Sequence, residues 1–264
     1  MTTATAALAA ARTRPMSLWR LEWLRLTRTP RAIAVCAVFL FIGLIEPVAT
    51  RYENDLIGRL SRGAQISVPP PTPADGLNSY VTEITLVGLI IVVALAAGAL
   101  SFDTRHGIST FLRTRVTSTW HLVAPRFAVS AAAAAVAYLL GTLGAWYETQ
   151  VLIGSLPAGG VLAGVLCGAT YLTFAVAVTA FAASLVRGVV GTVATAVAIL
   201  VVLPIASVFH AIASWLPSAL VNAPADLVNG TQHLSHFVPS LAVSVAATAA
   251  ALLITVRRLA AREI

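Results

Sequence analysis

Apolar residues gather into six long runs along this chain: 32–49, 81–100, 127–147, 161–185, 189–209 and 238–256. A helix needs about 20 such residues to cross roughly 30 Å of hydrocarbon. The pattern therefore predicts an all-α membrane protein with six transmembrane helices. Ahead of the first run, residues 17–31 place Trp19, Trp23 and Leu26 on one helical stripe, with Arg20, Arg25 and Arg28 elsewhere. This spacing suits an amphipathic helix lying in the headgroup layer. Residues 1–16 read as a disordered leader and 257–264 as a short tail.

The segments between the runs differ in character. Residues 51–80 contain PPPTPADG, which predicts an extended flap. Residues 210–236 mix apolar and polar positions with Pro217 and Pro224, and read as a re-entrant loop of short half-helices before the last span. Residues 101–126 are polar and arginine-bearing between two apolar runs, and so lie outside the hydrocarbon. Within the spans, Gly160, Gly164 and Gly168 form a small-xxx-small series that lets another span approach closely. Pro204 predicts a kink in the fifth span.

Composition agrees with the pattern: 58% of residues are hydrophobic, 10% are charged, and the formal net charge is +7. Mean hydropathy is +0.89. These values exclude a soluble globular domain. All 17 basic residues are arginine, clustered at the ends of apolar runs and not in the basic, aromatic-interleaved faces of nucleic-acid binders. With the N-terminus in the cytoplasm, only Arg51, Arg59 and Arg62 fall outside. The positive-inside rule thus places both termini in the cytoplasm. Cys36 and Cys167 lie inside apolar runs and read as small buried side chains.

Candidate chemistry is sparse. Glu46, Glu83 and Glu148 sit near the outer margin, where they serve as interface anchors, with Arg51 a partner, or as an outer gate. Tyr80, Trp146, Tyr147 and Trp215 complete an aromatic belt. His233 and His236 lack a third ligand nearby, and the chain has no HExxH, CxxC or GxxxxGK[ST] pattern. No metal centre and no nucleotide hydrolysis are expected of this chain.

The order of a basic interfacial helix, six spans, a polar inner loop between the second and third and a semi-apolar outer loop before the sixth resembles the permease subunits of type-2 ATP-binding-cassette transporters. In the inner loop Asp103 stands for the family's acid and Gly107 for its glycine. Phe111 and Leu112 fall near its leucines, and Arg126 takes its lysine's place. Ile108, Arg113 and Val116 depart from the pattern.

The resemblance implies a half-transporter in the cell membrane that pairs with a second permease copy, identical or not. Each copy docks on a separate cytoplasmic ATPase that holds ATP and magnesium. Ile108, Phe111 and Leu112 would offer that ATPase an apolar face, with Arg105, Arg113 and Arg115 available to its acids. An amphipathic or hydrophobic compound (a drug, antibiotic, peptide or lipid-like molecule) is the expected export cargo. A proton- or ion-coupled secondary transporter using Glu46, Glu83 and Glu148 is the alternative.

Overall fold

A computed structural model describes residues 18–60, 70–101, 119–207 and 213–261, and among these all regular structure is helical. A short helix α1 (Leu18–Arg28) precedes α2 (Pro30–Leu60). The second crossing is built from α3 (Pro73–Glu83), one π-helical turn (Ile84–Gly88) and α4 (Leu89–Leu100). Next come α5 (Trp120–Leu152), α6 (Ala158–Leu185) and α7 (Val189–Ala206). A short α8 (Ala219–Asn229) and the long α9 (Leu234–Ala261) complete the described chain.

Six segments are long and apolar enough to cross a membrane: Pro30–Glu53, Pro73–Leu100, Trp120–Leu152, Ala158–Leu185, Val189–Ala206 and Leu234–Ala261. They are the six expected from the sequence, most of them lengthened. The apolar run marks only what lipid must cover, whereas backbone hydrogen bonding carries a helix on into polar sequence. Thus α5 has 33 residues, or about 50 Å at 1.5 Å per residue, and its ends extend beyond a hydrocarbon layer.

The proline-rich flap is revised. Its second half is helical from Pro73, because proline at the first helical position loses no hydrogen bond. Asp75 closes the start, its carboxylate accepting from the Thr72 backbone N–H and from the Thr72 hydroxyl, each at 2.7 Å. On the other side, α2 continues through Arg51 to Leu60.

The bundle closes on α5 and α6. Gly43 of α2 meets the Gly141 carbonyl of α5 so closely that neither position has room for a Cβ. Tyr80, fully buried, donates its hydroxyl to the Tyr138 carbonyl at 3.2 Å. It belongs to the core and not to the aromatic belt. Tyr147 and Trp215 remain exposed, as interface anchors require.

The glycine series also has different partners from those expected. A Cβ at Gly160 would meet Leu227, and one at Gly164 would meet Pro224, both on the short α8. Only Gly168 faces another span, through the ring of Tyr138. The semi-apolar loop before the last crossing therefore supplies a helix that lies against the start of α6, capped at Gly230 with φ 67°. Pro204 sits in the last turn of α7, which ends at Ala206.

Candidate functional site

With six crossings, the N-terminus, the end of α4, the start of α5 and the α6–α7 connection share one end of the bundle. The most polar constellation among the described residues forms there. On α1, Trp19 and Trp23 are 53% and 55% exposed. Leu26, the third member of the expected stripe, is half-buried. The side of α1 turned to the bundle carries Glu22, only 6% exposed.

Glu22 is buried because it has a partner. Arg126, in the second turn of α5, donates from Nε to Glu22 Oε1 at 3.0 Å, and the two side chains are 13% and 7% exposed. A second Arg126 nitrogen reaches the Ala99 carbonyl near the end of α4 at 3.5 Å. Arg25 completes the group more loosely, 3.8 Å from Glu22. One guanidinium thus ties α1, α4 and α5 together, as a planar fork with several donors can. A single carboxylate between two arginines keeps the pair from leaving an uncompensated buried charge.

The neighbouring helix end is also held. The Ser101 hydroxyl lies 3.4 Å from Thr192 Oγ1 on α7, whose own proton goes to the Gly188 carbonyl at 2.9 Å. Gly188 takes φ 85° in the tight α6–α7 connection, a conformation that favours glycine. The chain therefore leaves α4 and re-enters at α5 from anchored positions.

Of the loop residues singled out in the sequence, Asp103, Arg105, Gly107, Ile108, Phe111, Leu112, Arg113 and Arg115 lie outside the described residues. Arg126 is described, and it is the hub. Sequence reading overlooked its partner. The available signal was that Glu22 is the one acid on α1, set apart from the two tryptophans.

At the opposite end Thr50 Oγ1 and Ser79 Oγ stand 2.9 Å apart, joining α2 and α3. Glu46 lies one turn inward from Thr50, and Glu83 one turn inward from Ser79. On these antiparallel helices the two carboxylates share a level. Glu148 is half-buried on α5. Among the described residues none of the three acids forms an ion pair, so the expected Arg51 partnership is not made. Trp146 is half-buried, its indole N–H without a partner among the described residues.

Beside the π turn a small hollow opens between Tyr138 and Tyr171, with Ile84 and Leu220 among its walls. Its lining is apolar apart from the two phenols and Thr85. Cys36 and Cys167 are free thiols. Among the described residues no three His, Cys, Asp or Glu side chains come together as a metal site would need.

This chain is 20% identical over 234 residues to the uncharacterized transmembrane protein YxlG of Bacillus subtilis (strain 168), covering 87% of this chain and 91% of that protein. No protein-family model matches the chain. No solved structure matches it significantly. The likeness extends over nearly the full length of both proteins and agrees with a multi-pass membrane protein.

Proposed function

We propose that this chain is the permease subunit of an ATP-driven exporter, worked by a separate cytoplasmic ATPase that docks on residues 102–118. The observation that carries this reading is the Arg126–Glu22 bridge at 3.0 Å. Force applied to the loop arrives at Arg126, and Arg126 passes it to α1 and α4 as well as to α5. A loop rooted in one helix would bend that helix alone. A loop rooted in a clamped group of three moves them together, which a mechanical coupling needs.

ATP and magnesium sit on the ATPase, and a second permease copy supplies the other wall of the pathway. The two functional states must differ in their affinity for the closed ATPase for the cycle to run. An amphipathic cargo leaving between lipid-like helices fits the apolar walls. The proton- or ion-coupled carrier remains the second reading, since such carriers place ionisable groups near the midplane and Glu46 stands midway along α2, with Glu83 at the end of α3 within the second crossing.

The test is reconstitution of the chain with a candidate ATP-binding-cassette ATPase from the same cell. The chain alone hydrolyses no ATP, and the pair transports. Replacing Phe111 and Leu112 together by glutamate abolishes transport and releases the ATPase, with the permease still in the membrane. Full retention of the ATPase by that variant contradicts the docking role. Transport that stops when the proton gradient is collapsed, with ATP present, transfers the assignment to the carrier.

A further inference from the structure

Next to the Arg126–Glu22 bridge, a shallow cleft, open to its surroundings, lies between α1, the start of α2, α4 and α5. Its polar lining includes Arg25, Arg31 and Arg126 against the single carboxylate of Glu22, a formal excess of positive charge. Arg126 spends its charge on Glu22. Arg25 is held only at 3.8 Å, and Arg31 is exposed with no acid in ion-pair range among the described residues. The guanidinium of Arg31 lies over Gly98 of α4, where a Cβ would stand 3.4 Å from its Nη1, so the small residue gives it a seat at the cleft wall.

The other walls are apolar, formed by Leu26, Leu95, Ala99 and Val129, with Ser130 adding a hydroxyl. Depth fixes the surroundings. Arg25 and Arg31 flank the bend between the interfacial α1 and the first crossing, which starts at Pro30. The exposed indoles of Trp19 and Trp23 belong at the headgroup level. A cleft at that level with Arg31 unpaired among the described residues, Arg25 loosely held at its rim and aliphatic walls below matches one kind of molecule, an anionic head on a hydrocarbon tail. Basic pockets between membrane helices bind acidic lipid heads for this reason.

We propose that this cleft binds the phosphate of an anionic glycerophospholipid from the leaflet on the N-terminal side. Arg31 and Arg25 contact its oxygens, and an acyl chain lies along Leu26, Leu95 and Val129. Such a lipid fills the gap between α1 and the bundle and reinforces the Glu22–Arg126 clamp, so the junction's stiffness depends on the acidic lipid around it. The inference stands whether an ATPase or an ion gradient drives the protein.

Native mass spectrometry of the delipidated full chain, titrated with phosphatidylglycerol or with phosphatidylcholine of the same acyl chains, tests it. The wild type should prefer phosphatidylglycerol by about tenfold, the scale of one or two charge-assisted contacts. Arg31→Gln should bring the two lipids to within about twofold, with an unchanged helical circular-dichroism spectrum. Arg31→Lys keeps the charge and should retain most of the preference. Equal retention of both lipids by the wild type overturns the proposal, as does an undiminished preference in Arg31→Gln. Millimolar inorganic phosphate should leave the bound lipid in place. Its displacement would show a site for free phosphate and would equally overturn a lipid site.

Discussion

At the end of the bundle carrying the N-terminus, Glu22 and Arg126 meet at 3.0 Å, the carboxylate buried and the guanidinium mostly so. At the opposite end the Thr50 and Ser79 hydroxyls meet, and the helices are otherwise joined by shape, with Gly160 and Gly164 seated against α8. The first end is locked by charge and the second by close backbone packing. A charged lock responds to what surrounds it: an acidic lipid, a docking protein or a shift of α5 changes its strength. Packing of glycine against a neighbouring backbone has no such lever. The end that can be acted upon is also the end from which the polar 102–118 segment leaves and returns.

The largest effect should come from unpairing the lock. Glu22→Ala strands the Arg126 guanidinium in a mostly buried site and should destabilise by about 3–5 kcal/mol, read as a lower unfolding temperature in detergent. Replacing both residues by leucine should cost much less, since no charge is left unpaired. A double variant as unstable as the single one would mean that the pair does not act as a unit.

The packed side of the comparison is tested by glycines. Gly141→Val pushes into the Phe39 carbonyl, 2.6 Å from the new Cβ, and Gly164→Val into Pro224, 2.9 Å away. Each should cost about 1–3 kcal/mol, and neither should change with salt. Gly159, one position before the series, has nothing within 4 Å, so Gly159→Ala should leave the unfolding temperature unmoved. A smaller loss, about 1 kcal/mol, is expected from Asp75→Ala, which removes the cap at the start of α3. Proteolysis near residue 72 would report the fraying.

The six crossings were legible because lipid demands an unbroken apolar run, and a run of that length has few other readings. Helix ends were not, because α2 runs on past Arg51 through polar sequence and α5 starts at Trp120, ahead of both Pro125 and Arg126. Pro73 looked like a breaker and is a starter, a difference set by its position relative to Thr72 and Asp75. Glu22 was missed for another reason: its partner lies 104 positions away in the chain, and no local spacing records such a pairing. The glycines of α6 were recognised as contact positions and the loop holding α8 was read as short half-helices, but no local pattern tied the one to the other. Burial separates the crossings further. The most apolar window of Ala158–Leu185 is 61% buried and that of Val189–Ala206 only 17%, although both are strongly apolar. Hydropathy shows that a helix prefers lipid to water, but not which helices it packs against.

The central claim is that a cytoplasmic motor acts through residues 102–118, and it requires that segment to face the cytoplasm. A single cysteine at Thr114, with Cys36 and Cys167 replaced by alanine, can be probed with a membrane-impermeant maleimide. The account predicts no labelling in intact cells and full labelling once the membrane is opened. Full labelling in intact cells would contradict it.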